Sequence, residues 1–142
     1  MSSRSLYDLH PTVRAKATAH RLACDAEGID LLVTSTYRSH AEQDALYAQG
    51  RTKPGKKVTN AKGGQSFHNY RLAYDVVPLR NGKPVWGTTG EDGKLWQRVG
   101  ELGEGAGLSW AGRWTKFREF PHFQYTGGKP LSHFQNGGRL EG

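Results

Sequence analysis

Apolar and polar positions recur along this chain in two rhythms, and the changes of rhythm mark its elements. From Pro11 onward, Val13, Ala17, Ala23 or Cys24, and Ala26 fall on one stripe at helical spacing, with Gly28 as the stop. Pro11 opens this helix where its missing N–H costs nothing. Residues 29–35 (Ile-Asp-Leu-Leu-Val-Thr-Ser) have the length, aliphatic content and flanks of a buried strand. Ser39-His40-Ala41-Glu42 has capping-box spacing and opens a second helix that runs to Gly50. Residues 73–79 predict another strand, which turns at Asn81-Gly82 into Lys83-Pro84-Val85-Trp86 as a hairpin. Pro84 makes the return arm an edge. Leu95, Trp96, Val99, Leu102, Gly103 and Ala106 repeat at helical spacing up to Gly107 and read as core. Leu108-Ser109-Trp110 and residues 117–125 supply the last strands. The glycine-rich tail, residues 127–142, is expected to fray.

Mixed helices and strands without a repeat of domain size indicate one α+β domain over residues 1–142, with no separate second domain expected. A chain of this length buries roughly 70% of the surface its unfolded form exposes. Residues 51–64 differ in kind. They carry Arg51, Lys53, Lys56, Lys57 and Lys62 between the breakers Pro54-Gly55 and Gly63-Gly64, so they form a long basic loop. Either it is a solvated surface loop or it is a rim that faces a substrate.

Composition narrows the classes. The single cysteine, Cys24, excludes an internal disulfide and a CxxC metal knuckle, and its helical position makes it core. No stretch approaches the ~18 apolar residues of a membrane span, and the polar start is no signal peptide, so synthesis in the cytoplasm is expected. A substrate outside the membrane would then require another factor for release. The net charge of +7 and pI near 9.7 point to an anionic partner. Nucleic acid, acidic lipid surfaces and bacterial wall polymers all satisfy that charge equally.

The candidate chemistry lies in two segments. Gln65-Ser66-Phe67-His68-Asn69-Tyr70-Arg71-Leu72-Ala73-Tyr74-Asp75 sets a histidine and an aspartate seven positions apart. Glu119-Phe120-Pro121-His122-Phe123 adds a second histidine with a carboxylate three residues earlier. Two imidazoles and a carboxylate make a three-ligand zinc site with an open position, as hydrolytic zinc enzymes use. By spacing alone, such a His-Asp pair is more often a turn residue and a cap. His68 and Asp75 are an odd number apart and would face opposite sides of one strand, so residues 69–71 must turn or bulge. Glu119 and His122 require a bend for the same reason, and Pro121 disfavours helix at Phe120.

Ser66-x-His68-x6-Asp75 followed by Glu119-x-x-His122 resembles the zinc D-alanyl-D-alanine carboxypeptidase and L-alanyl-D-glutamate endopeptidase family, one group of the LAS metallopeptidases (lysostaphin, D-Ala-D-Ala peptidase, sonic hedgehog). The similarity is greatest to the short phage endolysins. It spans most of the chain, from Leu9-His10-Pro11 through Ser35-Thr36-Tyr37-Arg38 and Gly50-Arg51 to Pro121-His122-Phe123-Gln124. One departure is Arg71, where the family pattern usually has glycine. This residue either tolerates the turn, with negative φ or with strain, or lies over the cleft.

The resemblance implies a small antiparallel sheet flanked by helices. It also implies one Zn2+ per chain on His68, Asp75 and His122, with Glu119 moving the proton of the attacking water. Arg38 matches the family's arginine that steadies the developing oxyanion. Ser66 matches a serine that bonds substrate, and Gln43 is a weaker candidate that supports Arg38 or touches substrate. His133-Phe134-Gln135 repeats the His122 tripeptide, but Pro130 replaces the carboxylate, so His133 is a decoy. His10, His20 and His40 are read as structural or exposed. The implied function is an endolysin that cleaves the L-alanyl-D-glutamate bond of peptidoglycan as a monomer, without nucleic acid. Its basic surface would help it to the anionic wall or outer membrane. The rivals are a D,D- or L,D-carboxypeptidase, and a non-catalytic zinc-stabilised module binding wall polymer or nucleic acid. Glu119 discriminates against the last, since a binder has no use for a carboxylate beside the metal.

Overall fold

The structure is a computed structural model that describes residues 2–140. Helix α1, Pro11–Ala26, buries Val13, Ala17, His20 and Cys24 along one stripe. His20 is the polar member of that stripe. Its Nδ1 lies 2.8 Å from the Tyr74 hydroxyl and its Nε2 2.9 Å from the Val99 carbonyl. The Nε2–H donates to the carbonyl and Nδ1 accepts from the phenol, so both ring nitrogens are satisfied without charge. Burial lowers its pKa, against a smaller pull from the Val99 carbonyl, and keeps the ring neutral.

Strand β1, Asp30–Ser35, runs antiparallel to strand β2, Ala73–Arg80. Between them, helix α2, His40–Ala48, starts on the expected capping box. The Glu42 amide donates to Ser39 Oγ at 3.0 Å and the Ser39 amide to Glu42 Oε1 at 2.8 Å. The β2 strand turns into β3, Lys83–Pro84, through Asn81 and Gly82, whose φ values of 54° and 75° are those of a type I′ hairpin. As Pro84 foretold, β3 is short and pairs only with β2.

Helix α3, Gly90–Gly105, and strands β4, Ser109–Trp110, and β5, His122–Gln124, complete the sheet in the order β1-β2-β5-β4. A Cβ on Gly100 would enter the Trp110 ring, and one on Gly103 would meet Phe123 and His20. These two glycines let α3 lie close against the sheet. The strand expected over residues 117–125 is shorter, because an irregular path through Pro121 precedes β5.

Alternation along β2 and β5 divides the molecule in two. Tyr74 pairs with Phe123 in register, and their rings stack at 5.9 Å inside the core formed with Leu72, Val76, Val99 and Trp110. The next pair, Asp75 with His122, faces the other way. One register thus fixes both the core and the site.

The tail departs from expectation. Residues Leu131–Gln135 form helix α4, Phe134 and Leu140 are buried in the core, and Gln135 Nε2 donates to the Gly64 carbonyl at 3.0 Å. Two apolar anchors outweigh the glycine content that suggested fraying. The last residues, 141 and 142, lie outside the described part.

Arg71 adopts the left-handed conformation, φ 65°, at the end of the 3₁₀ turn Phe67–Tyr70. The turn therefore carries the strain, and the alternative of a negative φ is not realised. The side chain does not reach the cleft. Its guanidinium stacks 3.9 Å from the Tyr37 ring centroid and donates to the Asp8 carbonyl at 2.8 Å. Arg71→Ala keeps the strain and loses both contacts, whereas Arg71→Gly removes the strain. The glycine variant is expected to be the more stable of the two by roughly 1 kcal/mol in urea unfolding. Equal stability would show that the turn stores no strain.

Candidate active site

The 3₁₀ turn Phe67–Tyr70 resolves the odd spacing. Ser66 caps it, accepting from the His68 amide at 3.2 Å. Asn69 Oδ1 accepts from the Gly64 and Ser66 amides, and its Nδ2 donates to the Arg38 carbonyl at 2.9 Å. This knot turns His68 back over β2 towards Asp75. The bend before β5 is held by the Glu119 amide donating to the Ala111 carbonyl at 3.3 Å and the Val76 amide donating to that of Pro121 at 3.0 Å.

Among the described residues, His68, Asp75 and His122 are the one group able to offer three metal-ligand atoms, all within 4.8 Å of one another. Their partners select the atoms. His68 Nδ1–H donates to the Thr36 carbonyl at 2.8 Å, which leaves Nε2 facing Asp75 Oδ1 at 3.2 Å. His122 Nε2–H donates to Gln124 Oε1 at 2.8 Å, which leaves Nδ1 facing the same oxygen at 3.1 Å. Two imidazole lone pairs therefore converge on a carboxylate oxygen, an arrangement that needs protons or a cation between them. Zinc suits this donor set of two nitrogens and an oxygen.

The electrostatics agree. Burial alone would raise the Asp75 carboxyl, yet His68 and His122 hold it well below the usual carboxylate range. Burial pulls His122 down, but the Asp75 carboxylate more than offsets this and raises it, so a proton fills the gap when no cation does.

Arg38 stands beside the group, at the end of the β1–α2 loop. Its Nε donates to Ser2 Oγ at 2.8 Å, Nη1 to Gln43 Oε1 at 3.0 Å and Nη2 to Ser35 Oγ at 3.1 Å. All three acceptors are neutral, and among the described residues no carboxylate pairs with it. The result is a fixed positive charge without a direct carboxylate partner. Burial lowers its pKa against the pull of Asp75, Glu42 and Glu119, but a guanidinium stays charged. Arg38, Ser66, His68, Asp75, Glu119 and His122 all line one cavity of about 470 Å³.

Gln43 does not line it. It is fully buried, and its Nε2 donates to the Ala61 carbonyl at 2.8 Å while its Oε1 holds Arg38. It is therefore placed to position Arg38 and does not face the cavity. Ser66 remains on the wall, with its hydroxyl hydrogen available. His133 binds the Arg139 carbonyl through Nε2, away from the cluster. His10 caps α1, accepting from the Thr12 amide at 3.1 Å. His40 lies edge-on to Tyr70.

The sequence reading missed three contributors. Gln124 follows His122 by two residues in a strand and so shares its face, a signal that was legible. Trp114 lines the cavity with its ring 5.8 Å from that of His122, and the Thr36 carbonyl orients His68. Neither had a sequence signal. The basic loop is also more structural than its charges suggested. Arg51 donates to the Tyr47 and Thr59 carbonyls and stacks on Tyr47, so it staples the loop. Val58, Thr59 and Ala61 then wall the cavity.

Residues 59–125 match the family model described as D-alanyl-D-alanine carboxypeptidase. The chain is 42% identical over 122 residues to the peptidoglycan L-alanyl-D-glutamate endopeptidase CwlK of Bacillus subtilis, covering 82% of this chain and 73% of that protein. Its fold is similar to that of the Serratia marcescens L-Ala D-Glu endopeptidase ChiX, with TM-score 0.63, 20% identity and 89% of each chain covered. It is similar also to the vancomycin-resistance D,D-pentapeptidase VanY in complex with Zn(II), with TM-score 0.59, 19% identity, and 90% and 78% covered. The ligand cluster, its neighbouring carboxylate and arginine, and a relative this similar over most of both chains together place the protein in the D-alanyl-D-alanine carboxypeptidase family of peptidases.

Proposed function

We propose that the chain is a zinc-dependent peptidoglycan hydrolase that cleaves the L-alanyl-D-glutamate bond of the stem peptide. The observation that carries the reaction class is one cavity holding three convergent ligand atoms, the Glu119 carboxylate and an unpaired guanidinium. The choice of bond rests on the 42% identity to CwlK.

Zinc bound by His68 Nε2, Asp75 and His122 Nδ1 would supply Lewis acidity, which makes water a nucleophile near neutral pH. The protein's own groups do the rest. Glu119, exposed on the cavity wall, takes the proton of the attacking water and delivers it to the leaving amine. Arg38, already braced by Ser2, Ser35 and Gln43, meets the negative charge that develops on the former carbonyl oxygen without having to reorganise. Ser66 offers its hydroxyl to the substrate backbone. Thr36 and Gln124 keep the imidazoles in the tautomers that present lone pairs to the metal.

The wider reading is a monomeric phage endolysin, made in the host cytoplasm and passed to the wall by another factor. The resemblance to short phage enzymes and the charge of +7 support it.

Metal analysis is expected to give one zinc per chain, lost from single alanine variants of His68, Asp75 and His122 and retained in His133→Ala. Protons compete for the same nitrogens, so zinc affinity should fall as pH drops through the raised His122 value. Retention of zinc by His122→Ala would refute the ligand set.

Glu119→Gln should keep zinc and fold while losing about 10²–10⁴-fold in turnover. Arg38→Lys should also be poor, because an ammonium cannot engage Ser2, Gln43 and Ser35 together and still point at the cavity. Full turnover in either variant would remove that residue from the mechanism.

Digestion of purified peptidoglycan followed by mass spectrometry identifies the bond. New L-alanine carboxyl ends paired with D-glutamate amino ends are expected. Free D-alanine as the sole product would assign a carboxypeptidase instead.

A further inference from the structure

The cavity of the ligand cluster does not end at Glu119. A second cavity of about 670 Å³ shares Val58, Thr59, Ala61, Gln65 and Glu119 with it, so the two form one groove. Lys57 from the basic loop and Arg118 from the segment before β5 line the second cavity and not the first. Arg118 Nε donates to the Trp114 carbonyl at 3.3 Å, and its Nη groups have no hydrogen-bond partner among the described residues. Neither Lys57 nor Arg118 pairs with a carboxylate among the described residues. Two unpaired cations from different segments, both lining the second cavity, make that part of the groove positive.

The substrate bond is itself asymmetric. Its alanyl side carries only a methyl group. Its glutamyl side carries two carboxyl groups, of which only one can continue the chain, so at least one stays free unless it is amidated. An anionic leaving side and a positive part of the groove are complementary. The bond's neutral side has no such match there.

We infer that Lys57 and Arg118 form a carboxylate subsite that binds the free α-carboxylate of the glutamyl residue and so sets the direction in which the peptide lies across the site. This inference rests on the endopeptidase reading above. Glu119 lines both cavities, so a peptide whose glutamyl side enters the second one presents its leaving amine where Glu119 delivers the proton. The subsite acts on binding. Neither cation touches the reacting atoms.

Two N-acetylated synthetic peptides containing L-alanyl-γ-D-glutamyl-L-lysine test this, one with the free glutamyl α-carboxyl and one with the α-carboxamide. The zinc-loaded protein is expected to prefer the free acid in kcat/KM by roughly tenfold, the size of one or two solvent-exposed charge pairs. The preference should reside in KM and shrink as salt is added. In the Lys57→Gln, Arg118→Gln double variant the ratio between the two peptides should fall towards one. Calorimetry with the product-like γ-D-glutamyl-L-lysine should show correspondingly weaker binding, and zinc content and thermal midpoint report that the variant is folded.

A double variant that keeps the preference, or a wild-type protein that cuts both peptides equally, overturns the subsite and leaves the activity standing. If neither peptide is cut while peptidoglycan yields free D-alanine, the endopeptidase reading and the subsite fall together.

Discussion

Everything at the site depends on the Asp75 carboxylate standing between two imidazoles. The cost of burying it is met by those rings, which keep it ionised. Their orientation is set by atoms that never touch the carboxylate: the Thr36 carbonyl behind His68 and the Gln124 amide behind His122. Each outer hydrogen bond selects a tautomer, and each tautomer aims a lone pair inward. Loss of either outer partner would free its ring to turn or to take up the other proton.

The sheet supplies the rigidity this geometry needs. Asp75 and His122 are cross-strand partners, one residue away from the stacked Tyr74–Phe123 pair that fills the core. The close approach of α3 through Gly100 and Gly103 fixes that pair from behind. A slip of one residue in β5 would turn His122 into the core and Phe123 into the cleft. The packing energy of the aromatic core therefore protects the register of the ligands.

Charge is distributed with a similar division of labour. Arg38 is held by three neutral acceptors and keeps its full charge for the cleft. Arg51 spends its donors on the loop backbone, and Arg71 on Tyr37 and Asp8. Net charge alone does not distinguish these roles, because a staple and an anion receptor carry the same guanidinium. Only the identity of the acceptors separates them.

The sequence by itself determined the elements and most of the site. Helical stripes, the Ser39–Glu42 box and the Asn81-Gly82 turn are local signals, settled by backbone preferences within a few residues. The grouping of His68, Asp75 and His122, with Glu119 and Arg38, was legible through the family resemblance of their motifs, because spacing alone favoured a turn residue and a cap. Tertiary structure alone decided the rest. Gln43 sits in a helix with nothing local to show that it is fully buried beneath Arg38. Residues 131–140 read as a loose tail until the core offered a place for Phe134 and Leu140. The ligating nitrogen of each histidine was undetermined too, since it depends on a backbone carbonyl 32 residues away for His68 and on the rotamer of Gln124 for His122. Such facts are properties of contacts between distant segments, and contacts of that kind leave no periodicity in the chain.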